Sequence, residues 1–286
     1  MSSSKPLSLR ELNRTLLARQ LLLERARMPL RRALERLVAL QAQAAFSPYA
    51  ALWARVEGFR KEALSRAFVS GAAVKAQSLR ITLHVSTAER YPDLAAASMA
   101  ARPGRIEPVV RDGLLGAWPH NKPSPSRPWG EPLPDADAAA IRVVRAYLSA
   151  YGPATRQDIA KFTGFRMGQI DPGLDGMRER DGLWDVPRGA VVAADVPAPV
   201  RFLPAFDSII LAHRDRTRIV PAEYEEIVFN KKNATVKNTF TVDGFIAGAW
   251  KVEGSRLAIE PFAPLPRRWR REVDAEGERL LAWWLR

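Results

Sequence analysis

Apolar residues recur at helical period in the first third of the chain. Ser8 and Glu11 stand at capping-box spacing, and Leu9, Leu12, Leu16 and Leu17 follow at i, i+3, i+7 and i+8, which predicts a first helix beginning there. A second is expected from Pro29, with Leu30, Leu34, Leu37, Val38 and Gln41 on one face, so that its apolar stripe ends in a glutamine. Ser47-Pro48 opens a short helix through Trp53, and a further helical pattern runs from Lys61 to Phe68. Leu79 to Val85 then reads as a strand. Three helices followed by a strand are the order of a winged-helix unit.

Residues 103–134 are rich in Pro, Gly and Trp and read as a linker or long surface loop. Beyond them Asp135 and Asp137 cap a helix whose buried stripe is Ile141, Val144, Tyr147 and Leu148, and Gly152-Pro153 breaks it. Thr155 and Asp158 cap the next helix, and Asp181-Gly182 turns the chain after another helical stretch. This repeats the helix, turn, helix and wing order. In the last third, Phe202–Leu211 is an apolar run, and Thr239–Val242 and Phe245–Ala247 flank Asp243-Gly244, a hairpin signal. Leu257–Ile259 suggests one more strand, and a helix from about Arg267 to Leu285 closes the chain. The expected fold is α+β, mainly helical: a winged-helix unit over 1–102, a Pro-rich linker or shortened middle unit over 103–134, a second winged-helix unit over 135–200, and a C-terminal α+β portion over 201–286.

Charge sharpens this picture. The 286 residues carry 44 Lys and Arg against 31 Asp and Glu, a formal charge of +13, and such a field selects polyanions, nucleic acid first. The chain has no cysteine, and its three histidines, His84, His120 and His213, lack metal-ligand spacing. Neither a metal nor a cofactor is expected. No apolar run approaches the roughly 18 residues of a membrane span, so the reading is a soluble, cytoplasmic, nucleoid-associated monomer.

Several segments together resemble a known family. They are Leu40-Gln41-Ala42-Gln43 ahead of Pro48-Tyr49 and Leu52-Trp53, the Leu79–Val85 run, Leu203-Pro204-Ala205-Phe206-Asp207, and Thr239–Gly244. The combination is similar to the AlkZ-like (YcaQ-like) winged-helix DNA glycosylases. The resemblance runs from the first helix to the last. It implies winged helices around a concave DNA-binding face and excision of alkylated purines from double-stranded DNA, bulky and cross-linking adducts included, in repair or in self-resistance to a genotoxin. By the family's motif Gln41 and Gln43 are the catalytic residues. Members of the family carry more chain between the His84 strand and the helix near Asp135, where this sequence is short and proline-rich.

The chemistry can be reasoned without the family. Cleaving an N-glycosidic bond normally needs help for the leaving base and for an oxocarbenium-like sugar. Alkylation at purine N7 or N3 already makes the base cationic, so leaving-group protonation is unnecessary. A neutral amide then suffices: its oxygen orients water or faces the sugar, and its NH₂ holds a phosphate or sugar oxygen. No activated amine stands beside the glutamines, which favours simple hydrolysis without strand cleavage. Candidate DNA contacts are Arg80, His84 and the cationic run Lys231, Lys232, Lys237 and Asn238 before the Asp-Gly turn. Asp207 is weighed as a catalytic acid against a turn or helix cap, and Trp118, Trp129, Trp184 and Trp250 as stacking groups against core residues. The competing class is a non-enzymatic winged-helix DNA binder such as a regulator. It explains the charge and the helix-turn-helix patterns equally well, but not the paired glutamines or the C-terminal portion.

Overall fold

The computed structural model describes residues 5–114, 125–230 and 232–286. Helix α1 (Leu9–Arg19) opens with the expected capping box, in which Glu11 takes the Ser8 N–H at 2.7 Å and Ser8 takes the Glu11 N–H at 3.2 Å. Helix α2 (Leu30–Leu37) is shorter than its apolar pattern suggested. Val38 adopts a left-handed φ of 66° and stops it, and Leu40–Gln41 forms a strand, β1. Gln41 therefore belongs to a sheet rather than to a helix end. Helices α3 (Ser47–Arg55) and α4 (Lys61–Val69) lie where they were expected.

Next come β2 (Ala73–Gln77), β3 (Leu83–Thr87), α5 (Tyr91–Ala101), β4 (Val109–Arg111) and β5 (Ser126–Pro128). The strand expected from Leu79 begins only at Leu83, because Arg80 and Ile81 have φ of 54° and 61° and make a tight helical turn. The five strands pair antiparallel in the order β1-β3-β2-β4-β5. Part of the proline-rich stretch thus extends the N-terminal sheet at one edge.

Helix α6 (Ala136–Tyr151) is capped by Asp135, which accepts the Ala138 N–H at 2.9 Å, while Asp137 sits in its first turn. Helix α7 (Arg156–Thr163) carries the Thr155/Asp158 capping box and ends at Gly164, whose φ of 79° suits glycine. A short helix, α8 (Met167–Ile170), leads to a hairpin of β6 (Arg178–Arg180) and β7 (Leu183–Asp185) turning at Asp181-Gly182.

The last third contains β8 (Arg201–Leu203), α9 (Ser208–Leu211), α10 (Glu225–Val228), β9 (Phe229–Asn230) and β10 (Thr235–Val236). It ends in β11 (Thr239–Val242), β12 (Phe245–Glu253), β13 (Arg256–Pro261) and α11 (Arg267–Leu285). Strands β13-β12-β11-β8 make an antiparallel sheet, and β9 and β10 form a separate hairpin. Lys232 and Lys237 therefore stand at the tip and exit of β9–β10, distinct from the Asp243-Gly244 turn between β11 and β12.

That turn has both φ values positive, 48° and 83°, the geometry that makes Asp-Gly a strong hairpin signal. Helix α1 holds it: Arg10 donates to Asp243 at 2.8 Å, and the buried Arg14 also pairs with that carboxylate. From its other end α1 sends Arg19 to Asp185 of β7 at 2.7 and 2.9 Å. One hydrophobic core, from Leu16 of α1 through Tyr147 of α6 to Leu280 of α11, joins the three parts. At its centre Arg55 and Asp207, both with fully buried side chains, make a two-pronged ion pair at 2.7 and 2.8 Å. These polar ties hold α1 to the β11–β12 turn and to β7, and α3 to the segment before α9.

Candidate nucleic-acid interface and active site

Gln41 lies on β1 opposite His84 of β3, and only 6% of it is exposed. Its Oε1 accepts a hydrogen bond from Arg80 at 2.8 Å. Arg80 reaches it from the turn before β3, in a left-handed conformation that β-carbons disfavour. The same guanidinium donates to the Phe162 carbonyl and lies 5.1 Å over the Phe162 ring. A guanidinium has no acceptor atom. The Gln41 oxygen must therefore be the end that faces Arg80, and the NH₂ has no acceptor among the described residues. Gln43, two positions on, is exposed, and its Oε1 accepts the Leu83 backbone N–H at 3.1 Å. That donor fixes the second amide in the same sense.

Burial pulls Arg80 down to about 10, so it stays a cation at neutral pH. His84 is drawn down to about 3 by burial and by the Arg80 charge. It is neutral and almost wholly enclosed, with Nδ1 donating to the Thr82 carbonyl at 3.0 Å and 3.2 Å from the Ser78 hydroxyl. The contact to DNA expected of His84 is closed off by this burial. Its place is beneath the site, as the cross-strand neighbour of Gln41.

Gln41 and Arg80 line part of a cleft of about 350 Å³, completed by Lys161 of α7, Phe206, Arg216 and the β9–β10 hairpin. Phe206 holds a left-handed φ of 62°, strain of the kind that clusters at functional sites. Arg216 sits 4.3 Å over the Phe229 ring and pairs with Glu225 at 2.8 Å. Lys161, Phe206 as a wall, and Arg216 were missed as cleft residues from the sequence. Each sits far from the glutamines along the chain, and a non-glycine left-handed residue has no sequence signature.

Lys232 is exposed at the hairpin tip and Lys237 at its exit, with its ammonium 5.9 Å over the Phe262 ring. Lys231 lies outside the described residues, as do His120 and Trp118. Asn238 is committed within the protein: its Oδ1 accepts the Ala205 N–H at 2.7 Å and its Nδ2 donates to the Trp250 carbonyl at 3.4 Å. It anchors the hairpin beside the Phe206 segment and has little left for DNA. Asp207 accepts the Ile209 N–H at 3.1 Å as a helix cap besides pairing with Arg55. Trp250 donates to two backbone carbonyls at 3.0 Å, Trp129 stacks edge-on against Tyr91, and Trp184 bridges to Ala154. These tryptophans are structural. Lys75, lowered to about 7 by burial, donates to the Asp112 carbonyl at 3.3 Å and does not line the cleft.

Comparison with known proteins gives a consistent result. The family model described as DNA glycosylase AlkZ-like matches residues 34–122 and 107–283. A curated Streptomyces sahachiroi protein, named interstrand DNA cross-link repair glycosylase, is 25% identical over 163 residues, which are 52% of this chain and 43% of that relative. The match thus spans less than half of that protein's length. The solved structure of Streptomyces sahachiroi DNA glycosylase AlkZ matches with a TM-score of 0.79 at 17% identity, covering 97% of this chain and 98% of that one. The α+β, mainly helical fold is therefore shared along nearly the whole chain.

Proposed function

Because the chain belongs to the AlkZ-like DNA glycosylase family, we propose that it hydrolyses the N-glycosidic bond of cationic N7- or N3-alkylated purines in duplex DNA, bulky and cross-linking adducts included. The observation that carries this reading is the cleft in which a single oriented amide, Gln41, meets an apolar wall, Phe206, and the cations Lys161 and Arg216.

The orientation of the amides divides the work. Arg80 places a positive charge next to Gln41, and a cation there opposes a growing oxocarbenium but favours a phosphate. Gln41 therefore acts as a donor: its free NH₂ holds a phosphate or sugar oxygen of the target nucleotide. Gln43 uses one lone pair of its oxygen on Leu83 N–H and offers the other to the attacking water or to the sugar. The alkylated base leaves as a neutral purine, so no proton donor is needed. Lys161, which lines the cleft, serves here as a phosphate contact, so that water rather than an amine is the nucleophile and the DNA strand stays intact. The α6–α8 helices with the β6–β7 hairpin, and the N-terminal helices with their sheet, serve as winged-helix supports, and Lys231, Lys232 and Lys237 hold the backbone.

Replacing Gln41 or Gln43 with Ala is expected to lower base release from N7-methylguanine DNA on the order of 10–1000-fold, the scale of one preorganised polar group. Duplex affinity stays within a few-fold, since a group acting in the transition state changes rate more than ground-state binding. Wild-type rates in both variants, or no free base from any alkylated purine with the unmodified protein, would replace the glycosylase reading with that of a DNA-binding regulator.

A further inference from the structure

A second cationic depression, of about 720 Å³, lies away from the glutamines between the α3–α4 corner and the end of α11. Six Lys or Arg side chains and two Glu line it, with Trp53, Phe59 and Trp283 as aromatic walls. The charge excess extends below its surface. Glu276 is fully buried, and Arg25 at 2.5 Å, Arg279 at 2.5 Å and Arg201 at 3.8 Å share its one carboxylate. Burial, followed by the nearby Arg25 charge, pulls Arg201 down to about 10. Three guanidiniums around one carboxylate leave positive charge uncompensated in a partly desolvated place, which an incoming anion relieves.

Of the two lining carboxylates, Glu57 is held by Arg27 at 2.5 Å. Arg60 and Arg66 are exposed and form no ion pair among the described residues. Cations stand on both walls, Arg60 and Arg66 toward α4 and Arg279 on α11. Such an arrangement suits a chain of phosphates passing between them better than one compact anion, and guanidinium forks match phosphate oxygens in pairs. The wall of the depression is packed against the segment that follows the glutamines. Phe46, three residues after Gln43, packs 5.5 Å from Trp283, which lines the depression.

We propose that this groove seats the sugar-phosphate backbone of DNA flanking the site of base excision, extending the footprint beyond the glutamine cleft. The proposal rests on the reading that duplex DNA is the substrate, though not on base release. Its test uses the full chain carrying Arg60→Glu and Arg66→Glu, two exposed side chains outside the excision machinery. Affinity for undamaged duplexes of about one and about two helical turns is measured against salt, alongside single-turnover base release at saturating DNA. The variant is expected to lose on the order of tenfold or more for the longer duplex and to lower its salt slope by about one per phosphate contact removed. The short duplex is held nearly as well as by the unaltered protein, and the rate at saturation is unchanged.

Equal affinity and equal slope for the longer duplex would overturn the proposal. A thermal shift with inorganic tripolyphosphate that disappears in the variant, while DNA affinity is unaltered, would also overturn it and assign the groove to free polyphosphate. If no purine is released by the unaltered protein yet the variant still loses long-duplex affinity, the glycosylase reading fails and the groove stands.

Discussion

Arg80 shows how one residue can set the chemistry of another. Its left-handed backbone and its contacts with Phe162 aim the guanidinium at the Gln41 oxygen, so the glutamine has one orientation rather than two. Arg80→Lys keeps the charge but loses the planar fork that holds both acceptors. It is expected to lower kcat on the order of 10–100-fold, the cost of misplacing a reacting group by a fraction of a bond length or more, with KM for alkylated DNA changed little. A rise in KM alone would instead make Arg80 a simple phosphate contact. Asp207 belongs to a different class. Its pairing with Arg55 is wholly buried, and Asp207→Ala leaves an uncompensated guanidinium in the core, a loss of about 3–5 kcal/mol. Urea unfolding measures it, and Arg55→Met together with Asp207→Ala is expected to recover part of the loss. A single variant as stable as the unaltered protein would show that water reaches this pair.

Elements built by local rules were legible in the sequence. The Ser8/Glu11 and Thr155/Asp158 boxes start their helices, and Asp243-Gly244 makes the tight turn its composition requires. The elements that escaped obey tertiary rules. Strand β2 is buried along nearly all its length and carries Lys75 at its centre, so it shows no alternation. Helix α5 is nearly half alanine and buried around most of its circumference, which removes the polar face that marks a helix. The glutamine pair is legible, but the apolar stripe of α2 runs on to Gln41 because a valine in left-handed geometry at position 38 gives no warning. The basic run is legible too, without the hairpin that displays it. Since Lys232 and Lys237 are exposed at the tip and exit of the hairpin, replacing Lys231, Lys232 and Lys237 with Ala is expected to weaken lesion processing while shifting the melting temperature hardly at all. A large loss of stability with normal activity per folded molecule would make the hairpin a packing element.

At the scale of the molecule the acids and bases have separated into two jobs. Asp185, Asp207 and Glu276 are buried and each holds at least one guanidinium, while Asp243 ties two arginines of α1 to a turn. Carboxylates used this way join distant parts of the chain and do little to neutralise its exterior. The surplus of +13 therefore falls on exposed side chains such as Lys232, Lys237, Arg60 and Arg66. Such charges bind DNA by displacing its condensed counterions, and each phosphate neutralised contributes about −0.9 to the slope of log affinity against log salt. With the hairpin and the second groove both engaged, about six contacts are a reasonable footprint, which implies a fall in duplex affinity on the order of 10³-fold between about 50 and 200 mM salt. Base release at saturating DNA is expected to change far less over the same range, because the Gln41–Arg80 contact is part-buried and buried pairs are weakly screened. Anisotropy titrations across that range supply the slope, and single-turnover assays supply the rate. A flat affinity profile would mean that the cationic surface does not track phosphates, whereas a rate that falls in parallel with affinity at saturation would place the salt-sensitive contacts inside the reacting site.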